Sequence, residues 1–326
     1  MFTRRHAMSL ALAIPALGRA QISPSVAFPT RAIRLIVGFP PGGGSDLVAR
    51  PIAARMSEAL GQQVVVENRG GANGTLGLGE LARSAPDGYT FGHVNDATIA
   101  INPLLYRNLT FDPARDFTPI AIATVGGMFV MVPADLPART LPELVALARA
   151  RPGQMNFGSA GQGSVTHLAY ELFSRQARIE MEIVTYRGSA PALQDMLGGR
   201  VHLMIDGINL AKAQIDAGRV RAIAFIGGTE RHPHFPDVPT TTEQGMPGFV
   251  MRGWQGFVGR AGTPEPVLDA LENAVRVSLE DPAVAALFAT QGTLARFAGR
   301  AAMAEAIAEH TTRWRPVIAE LGLRLD

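Results

Sequence analysis

The chain has 326 residues, 47% of them hydrophobic and 18% charged, which is enough to bury substantial cores in about two domains. It contains no cysteine, so disulfides, thiolate metal sites and a cysteine nucleophile are excluded. The formal net charge is only +2, and no cluster of lysines and arginines with interleaved aromatic residues occurs, so we expect no nucleic-acid partner.

The amino-terminal segment is typical of a secretory signal peptide. A basic start at residues 3–6 precedes an apolar stretch at residues 8–17, and small residues then offer a cleavage site before Gln21. We therefore expect residues 1–20 to be a cleaved signal, with a second candidate cleavage point after Ala27. About ten apolar residues are too few for a membrane anchor, which needs about twenty.

Export changes the charge argument and indicates a compartment. Removing residues 1–20 takes away three arginines and no acid, so 27 basic and 28 acidic side chains remain. The arginine pair near the start permits twin-arginine export, but the residues after it favour the general secretory route. An exported chain without disulfides indicates the periplasm of a Gram-negative cell.

Predicted strands and helices alternate along the rest of the chain. Strands are predicted at 33–39, 63–68, 89–94, 120–125, 129–132, 155–158, 181–186, 201–206, 220–226 and 251–258. Helices are predicted at 45–60 (with Ser45 as N-cap), 75–84, 97–106, 141–150, 164–176, 190–197, 209–217, 264–279, from 282, and at 300–320. This alternation predicts parallel sheets with helices on both faces.

The order of the elements predicts two α/β lobes joined by two strand crossings, near 120–125 and 253–258. The second lobe is then an insertion in the first. We assign residues 28–124 and 254–326 to the first lobe and residues 125–253 to the second. Ligands of open α/β sheets lie beyond the carboxyl ends of the strands, so the lobes should face each other across a ligand cleft that closes by hinge motion.

Three glycine- and serine-containing turns each lie between a predicted strand and a predicted helix, at Phe39–Asp46, Phe157–Ser164 and Tyr186–Pro191. Such a turn directs backbone N–H groups and the positive end of a helix dipole at the space above the strand. Three turns that converge on one cleft predict a site for a small anion, most simply a carboxylate. The first turn lacks both a P-loop lysine and a complete Gly-x-Gly-x-x-Gly pattern, which disfavours a nucleotide.

Ser164 and His167 suggest an alternative from another class, a Ser/His-dependent hydrolase of α/β fold. They lie three residues apart on one predicted helix face, which fits a helix-capping interaction equally well. The Gly-x-Ser-x-Gly nucleophile elbow is absent around Ser159 and around Ser164, which disfavours the hydrolase. No His-x-x-x-His pair occurs either, and we expect no metal site.

Polar side chains also follow two other predicted strands. Asp206 ends a strand and has two interpretations, a hydrogen-bonding group for a ligand or the N-cap of the next helix. Asn95, Asp96 and Thr98 follow another strand and could line the cleft. A carboxylate at Asp96 would repel an anion, so it favours a ligand that also carries an amine, amide or hydroxyl donor.

The sequence resembles the Bug-type solute receptors of tripartite tricarboxylate transporters along essentially the whole mature chain. The segments that carry the resemblance are 33–37 with 39–46, 64–69 with 71–74, 85–90, 101–106, 157–164 with 167–169, 186–192, 197–199, 235–240 and 259–264. The resemblance implies a type II-like periplasmic-binding-protein fold with two strand crossings, and no catalysis or cofactor. It also implies a small carboxylate held largely by backbone groups and bridging waters.

The partners that the resemblance implies are the two integral membrane proteins of a secondary transporter, although some relatives instead report ligand to a membrane sensor kinase. Aromatic acids, amino acids and tricarboxylates are all open as ligands, and we expect a monomer. With His167 added from the second turn, the expected ligand-binding residues are Phe39, Pro40, Gly42, Gly43, Gly44, Ser45, Asn95, Asp96, Thr98, Ser159, Ala160, Gly163, Ser164, His167, Tyr186, Gly188 and Asp206.

Overall fold

A computed structural model describes residues 28–325, and the predicted signal peptide, whether it ends at residue 20 or 27, lies outside the described residues. Within this range the chain alternates strands and helices and forms a two-lobed α/β fold, as expected. No helix of residues 28–325 has both the length and the apolar composition that a membrane span requires.

The strands are β1 Ile33–Val37, β2 Val64–Asn68, β3 Thr90–Asn95, β4 Phe117–Gly127, β5 Phe129–Pro133, β6 Asn156–Ser159, β7 Glu182–Thr185, β8 Met204–Asp206, β9 Val220–Phe225, β10 Arg252–Arg260 and β11 Leu294–Gly299. The helices are α1 Gly44–Leu60, α2 Thr75–Ala82, α3 Asn102–Leu105, α4 Pro113–Asp116, α5 Leu141–Ala150, α6 Val165–Ala177, α7 Ser189–Leu197, α8 Ile208–Asp216, α9 Glu265–Glu280, α10 Pro282–Gln291 and α11 Arg300–Leu321. A π-helical turn at Ala97–Ile101 precedes α3.

The first lobe contains a six-stranded sheet in the order β11-β4-β10-β3-β1-β2. Strands β1, β2 and β3 are parallel, but β10 is antiparallel to β3 and to β4, and β11 is antiparallel to β4. The prediction of a parallel sheet is therefore wrong for the half of the sheet that contains β4, β10 and β11. The reason is that β4 carries the chain out of the first lobe and β10 brings it back, so these two neighbouring strands run in opposite directions.

The second lobe contains strands β5 to β9. Strand β5 lies between β8 and β9 and is antiparallel to both, while β6 and β7 pair in parallel. A single bridge between Phe157 and Leu203 joins the two groups of strands. Parallel pairing therefore holds only for the β6-α6-β7 part of this lobe.

Alternating side chains on the central strands fill two layers of core in the first lobe. Leu35 and Val37 of β1 pack with helices α1 and α9 on one face, while Ile36 between them packs with α2 on the other. The second lobe has its own core around β5, α6 and α7. Helix α11 adds Trp314 and Ile318 to that core, so the end of the chain packs against the second lobe.

Two glycines meet where the chain passes between the lobes. Gly127 ends β4 and pairs with Arg252 at the start of β10. A Cβ atom added to Gly127 would overlap the Cα of Gly227, which follows β9, whereas a Cβ added to the adjacent Gly126 would have no atom within 4 Å. Close contact between two backbones at the crossing therefore requires glycine at 127 but not at 126.

We predict that Gly127→Ala lowers the free energy of unfolding by about 1–3 kcal/mol, because the added methyl group has to displace a backbone. Urea unfolding followed by circular dichroism measures the change. The matched control is Gly126→Ala, for which we expect a change within about 0.5 kcal/mol. Equal effects of the two substitutions would contradict the assigned contact.

Candidate functional site

A cleft of about 170 Å³ opens between the lobes, beyond the carboxyl ends of β1, β3, β6, β7 and β8. Eleven of the residues expected from the sequence line it. They are Phe39, Pro40, Gly43, Gly44, Ser45, Asn95, Asp96, Ala160, Ser164, Gly188 and Asp206. The other six, which do not line it, are Gly42, Thr98, Ser159, Gly163, His167 and Tyr186.

The turn after β1 presents the first N–H groups of α1 to the cleft. The helix begins at Gly44 with Gly43 as its N-cap, and no side chain caps it, so the prediction of Ser45 as N-cap is wrong. Gly43, Gly44 and Ser45 all line the cleft. Because the first N–H groups of a helix have no partners within the helix, they are available to an anion here.

Asp46, in the first turn of α1, is only 3% exposed, and its side chain stabilises this turn by hydrogen bonds. Its carboxylate accepts hydrogen bonds from the Gly42 N–H at 2.9 Å, from Arg50 Nε at 2.8 Å and from Asn68 Nδ2 at 2.9 Å. Burial alone would raise the pKa of Asp46, but these hydrogen bonds outweigh it and keep the pKa below its usual value. The Gly42 N–H is thus already occupied, which explains why Gly42 does not face the cleft.

The turn between β6 and α6 supplies a second set of backbone groups. Ser164 is the N-cap of α6 and accepts a hydrogen bond from the His167 N–H at 3.2 Å. The Nδ1 atom of His167 accepts a hydrogen bond from the Gly163 N–H at 2.9 Å. Ser159 is fully buried, and its hydroxyl bonds to Gly161 within the turn. Ser159, Gly163 and His167 therefore shape the turn, while Ala160 and Ser164 face the cleft.

The turn between β7 and α7 contributes Gly188, which lines the cleft beside the start of the helix. Gly188 has a φ of +111°, and a Cβ added to it would lie 3.0 Å from Cδ of Pro40 in the first lobe. Tyr186 points away, because its hydroxyl donates a hydrogen bond to Asp195 at 2.8 Å. The two lobes thus meet closely where glycine keeps the turn small.

Asp206 ends β8, immediately before α8. Its Oδ1 atom accepts a hydrogen bond from the Gly207 N–H at 2.7 Å. Its Oδ2 atom is buried without a hydrogen-bond partner among the described residues. Burial raises the pKa of Asp206 to about 6, and the nearby Ser189 side chain and the Gly207 N–H offset this only in part. Asp206 is not the N-cap of α8, since Gly207 occupies that position.

The opposite wall of the cleft comes from the end of β3 and the turn that follows it. Asn95 and Thr98 bond to each other, the Thr98 N–H to Asn95 Oδ1 at 2.9 Å and the Asn95 N–H to Thr98 Oγ1 at 3.0 Å, which turns Thr98 inward. Asp96 is 5% exposed, and its Oδ2 atom lies 3.4 Å from Nδ1 of His310 on α11. Asp96 therefore lines the cleft and is in close contact with the imidazole of His310.

The expected site residues did not include the floor of the cleft or parts of its rim. The floor consists of the crossing strands, at residues 124–127 and 252–255, and the rim includes Asn73, Asn209, His232 and Thr293. The predicted crossings gave a usable signal for the floor, because strands that join two lobes must pass under the space between them. Nothing in the sequence indicates that Thr293 reaches the same cleft.

Four helices begin at the cleft. Besides α1 and α6, helices α7 and α8 begin there without a side-chain cap, and their first residues line it. The ionisable side chains on its walls are Asp96, Asp206, Arg252 and His232, and burial lowers the pKa of His232 to about 4. No group of three potential metal ligands occurs among residues 28–325. The cleft can therefore hold a small anion by backbone N–H groups.

Two α/β lobes that enclose a cleft of this kind define the class of periplasmic solute-binding proteins. The sequence matches the tripartite tricarboxylate transporter family receptor over residues 48–323, and the chain belongs to this family. It is similar to the protein BugT of Bordetella pertussis, with 34% identity over 299 residues that cover 91% of each chain. The Bug-type resemblance is thereby confirmed.

Solved structures agree with this assignment. The structure of R. palustris Rpa4515 with adipate is 34% identical, with a TM-score of 0.87 over 91% of this chain and 99% of that chain. The structure of MatC from Rhodopseudomonas palustris with bound malate is 33% identical, with a TM-score of 0.84 over 89% of this chain and 100% of that chain. The expected periplasmic-binding-protein fold is confirmed.

We predict that Asp206→Asn stabilises the free protein at neutral pH but not at acid pH. The raised pKa means that the folded state favours the protonated carboxyl, so the stabilisation is complete below about pH 4 and is lost as the pH rises through about 6. Asparagine stays neutral, and the variant should exceed the wild type by about 3 kcal/mol at pH 7.

Urea unfolding of both proteins at pH 4 and at pH 7 measures this difference. Asp216→Asn is the control, because Asp216 lies at the end of α8 and is exposed beside Lys212. A stability difference for Asp206→Asn that is the same at both pH values would show that the carboxyl has an ordinary pKa.

Proposed function

We propose that the protein is an exported receptor that captures a small carboxylate in the cleft and delivers it to the integral membrane subunits of a tripartite tricarboxylate-type secondary transporter. The observation that carries the proposal is that four helices, α1 from the first lobe and α6, α7 and α8 from the second, begin at one cleft. Each helix N-terminus carries about half a positive charge together with free N–H donors. A carboxylate bound there would be held from both lobes at once.

The relatives support a carboxylate as the ligand, because one was solved with adipate and another with malate. In this chain, Phe39, Pro40, residues 43–45, Ala160, Ser164 and Gly188 would surround the carboxylate. Asp96 on the opposite wall and Arg252 on the floor would contact the rest of the ligand. Arg252 uses its Nε to bond the Gly227 carbonyl at 3.0 Å, which leaves its terminal nitrogens for a second polar group.

The contacts across the cleft support closure of the lobes around the ligand. Asn73 Nδ2 donates to the Gly163 carbonyl at 3.1 Å, and Asn209 Nδ2 donates to the Gly44 carbonyl at 3.4 Å. Both bonds join residues that follow strands in different lobes. Hinge motion would take place at the crossing strands, near the proposed lobe boundaries at residues 124–125 and 253–254.

The proposal includes no chemical turnover. A hydrolytic Ser/His pair needs a hydrogen bond between the serine hydroxyl and the imidazole. Here the Ser164 hydroxyl bonds instead to the His167 backbone N–H and to the Thr166 hydroxyl at 2.8 Å. His167 is buried, and burial lowers its pKa, while its Nδ1 is occupied by Gly163. Both side chains fit a structural role in the turn.

Export to the periplasm, with cleavage after residue 20 or residue 27, completes the proposal. The family supports the periplasm as the location and a membrane transporter as the destination of the ligand. The receptor would act as a monomer. No metal or cofactor takes part.

We predict that malate or adipate raises the melting temperature, whereas nucleotides do not. A ligand that binds only the folded state at 100 times its Kd adds about 2.7 kcal/mol to stability. Ala160→Asp should abolish this shift, because a second negative charge about 4 Å from the bound carboxylate costs about 4 kcal/mol. A thermal-shift assay of wild type and variant measures both effects.

The control for that assay is Ala302→Asp, on the exposed face of α11, which should keep the wild-type ligand response. Stabilisation by nucleotides, or an unchanged response in Ala160→Asp, would contradict the proposed site. A screen extended to aromatic acids, amino acids and tricarboxylates would then define the ligand class of a protein that responds.

We predict that the protein does not hydrolyse p-nitrophenyl esters faster than His167→Ala does. The imidazole cannot activate Ser164 while its Nδ1 accepts the Gly163 N–H. Initial rates of p-nitrophenol release from both proteins at equal concentration measure this. Substantial turnover by the wild type that His167→Ala removes would favour the hydrolase and defeat the receptor.

A further inference from the structure

The Oδ2 atom of Asp206 is an unusual group on the wall of an anion site. It is buried and lacks a hydrogen-bond partner among the described residues, although Oδ1 of the same carboxyl accepts the Gly207 N–H at 2.7 Å. Burying a polar atom without a partner is unfavourable by about 1–3 kcal/mol. An oxygen in this situation carries a proton that it donates, accepts a donor that arrives with the ligand, or bonds to an ordered water.

Asp206 lies close to the proposed carboxylate position. It belongs to the β8–α8 connection, and Asn209, three residues further on, reaches across the cleft to the Gly44 carbonyl at the start of α1 at 3.4 Å. Gly44 and Asp206 line the same cleft. A carboxylate bound at the start of α1 would therefore lie beside the Asp206 carboxyl.

The surroundings of Asp206 contain few charges. Strand β5 places Phe129 opposite it, α7 presents Ser189 and α8 presents Asn209. The nearby loop adds His232, whose pKa is lowered to about 4 by burial and by His234, so it is neutral at pH 7. Across the cleft lie Asp96, backed by His310, and Arg252.

No cation contributes to the pKa of Asp206, which burial raises to about 6. A bound anion next to this carboxyl would raise its pKa further, because two adjacent carboxylates cannot both ionise without strong repulsion. One proton between them converts the repulsion into a hydrogen bond with a charged acceptor.

We propose that Asp206 binds the ligand in its protonated form, with Oδ2–H donating a hydrogen bond to the ligand carboxylate, so that each ligand captured takes up one proton from the solvent. This inference rests on the proposed function. The proton comes from water or buffer and returns there on release. Asp206 then acts as a specificity-determining donor that requires an anionic group at this point of the ligand.

Isothermal titration calorimetry tests the inference, with malate and adipate as probes at pH 6, 7 and 8. Titrations in phosphate and in Tris, which differ in ionisation enthalpy, give the number of protons taken up. We expect close to one proton per ligand at pH 8, and an affinity about tenfold weaker at pH 8 than at pH 7. The carboxylates of the probes stay ionised between pH 7 and pH 8, since the pKa values of ordinary carboxylic acids lie well below this range.

Two variants assign the proton to its site. Asp206→Asn should still bind, since its amide can donate, but with no proton uptake and an affinity that is equal at pH 7 and pH 8. Asp216→Asn removes an exposed carboxylate near the other end of α8 and should retain the proton uptake and pH dependence of the wild type. Because Asp206→Asn leaves His310 intact, loss of proton uptake in this variant would assign the proton to Asp206 and not to His310.

The outcomes distinguish this inference from the proposed function. Binding at pH 7 and pH 8 without proton uptake would overturn the inference and leave the receptor function standing. Proton uptake that persists in Asp206→Asn would assign the proton elsewhere and also overturn it. If neither probe binds at any pH, the proposed carboxylate site fails, and the inference fails with it.

Discussion

The antiparallel pairing of β4 with β10 is the constraint on which the rest of the structure depends. These strands carry the chain between the lobes in opposite directions, and this sets the mixed order of the six-stranded sheet. Because they connect the lobes, they also form the floor of the cleft. Gly127 at the end of β4 lets its backbone touch that of Gly227, which follows β9. The hinge between the lobes, the floor of the cleft and the strand order of the sheet therefore all depend on this one pair of strands.

In the candidate site, the groups that face the ligand cleft differ from the groups that stabilise the turns. Backbone N–H groups at four helix starts face the cleft, while side chains such as Asp46 and His167 bond to the turns from behind. This arrangement explains why the sequence predicted the position of the cleft better than its individual residues. Glycine and serine between a predicted strand and a predicted helix identify the turns in the sequence. The direction in which a side chain points, however, depends on tertiary hydrogen bonds such as the one from Tyr186 to Asp195. A role in ligand binding stays a prediction for each of them.

The parts of the fold that the sequence did not predict have physical causes. Strand β11 has mostly half-exposed residues at the edge of a sheet, so it lacks the alternation that indicates a strand. Strand direction was wrong around β10 because alternation of strands and helices gives no information about a strand that returns from an inserted lobe. The buried strands β1, β3 and β6 were predictable, since their apolar runs lie next to well-formed turns.

A receptor must release its ligand as well as capture it, and helix termini suit both tasks. Each terminus contributes only about 0.3–1 kcal/mol to an adjacent charge, so strong binding requires several of them to act together. One of the four helix N-termini lies on the first lobe and three lie on the second, so separation of the lobes moves the first away from the other three. Water then solvates the exposed N–H groups of α1, which keeps the free energy of opening small. An anion held by a buried arginine pair would leave an uncompensated charge on opening, a cost that backbone donors avoid.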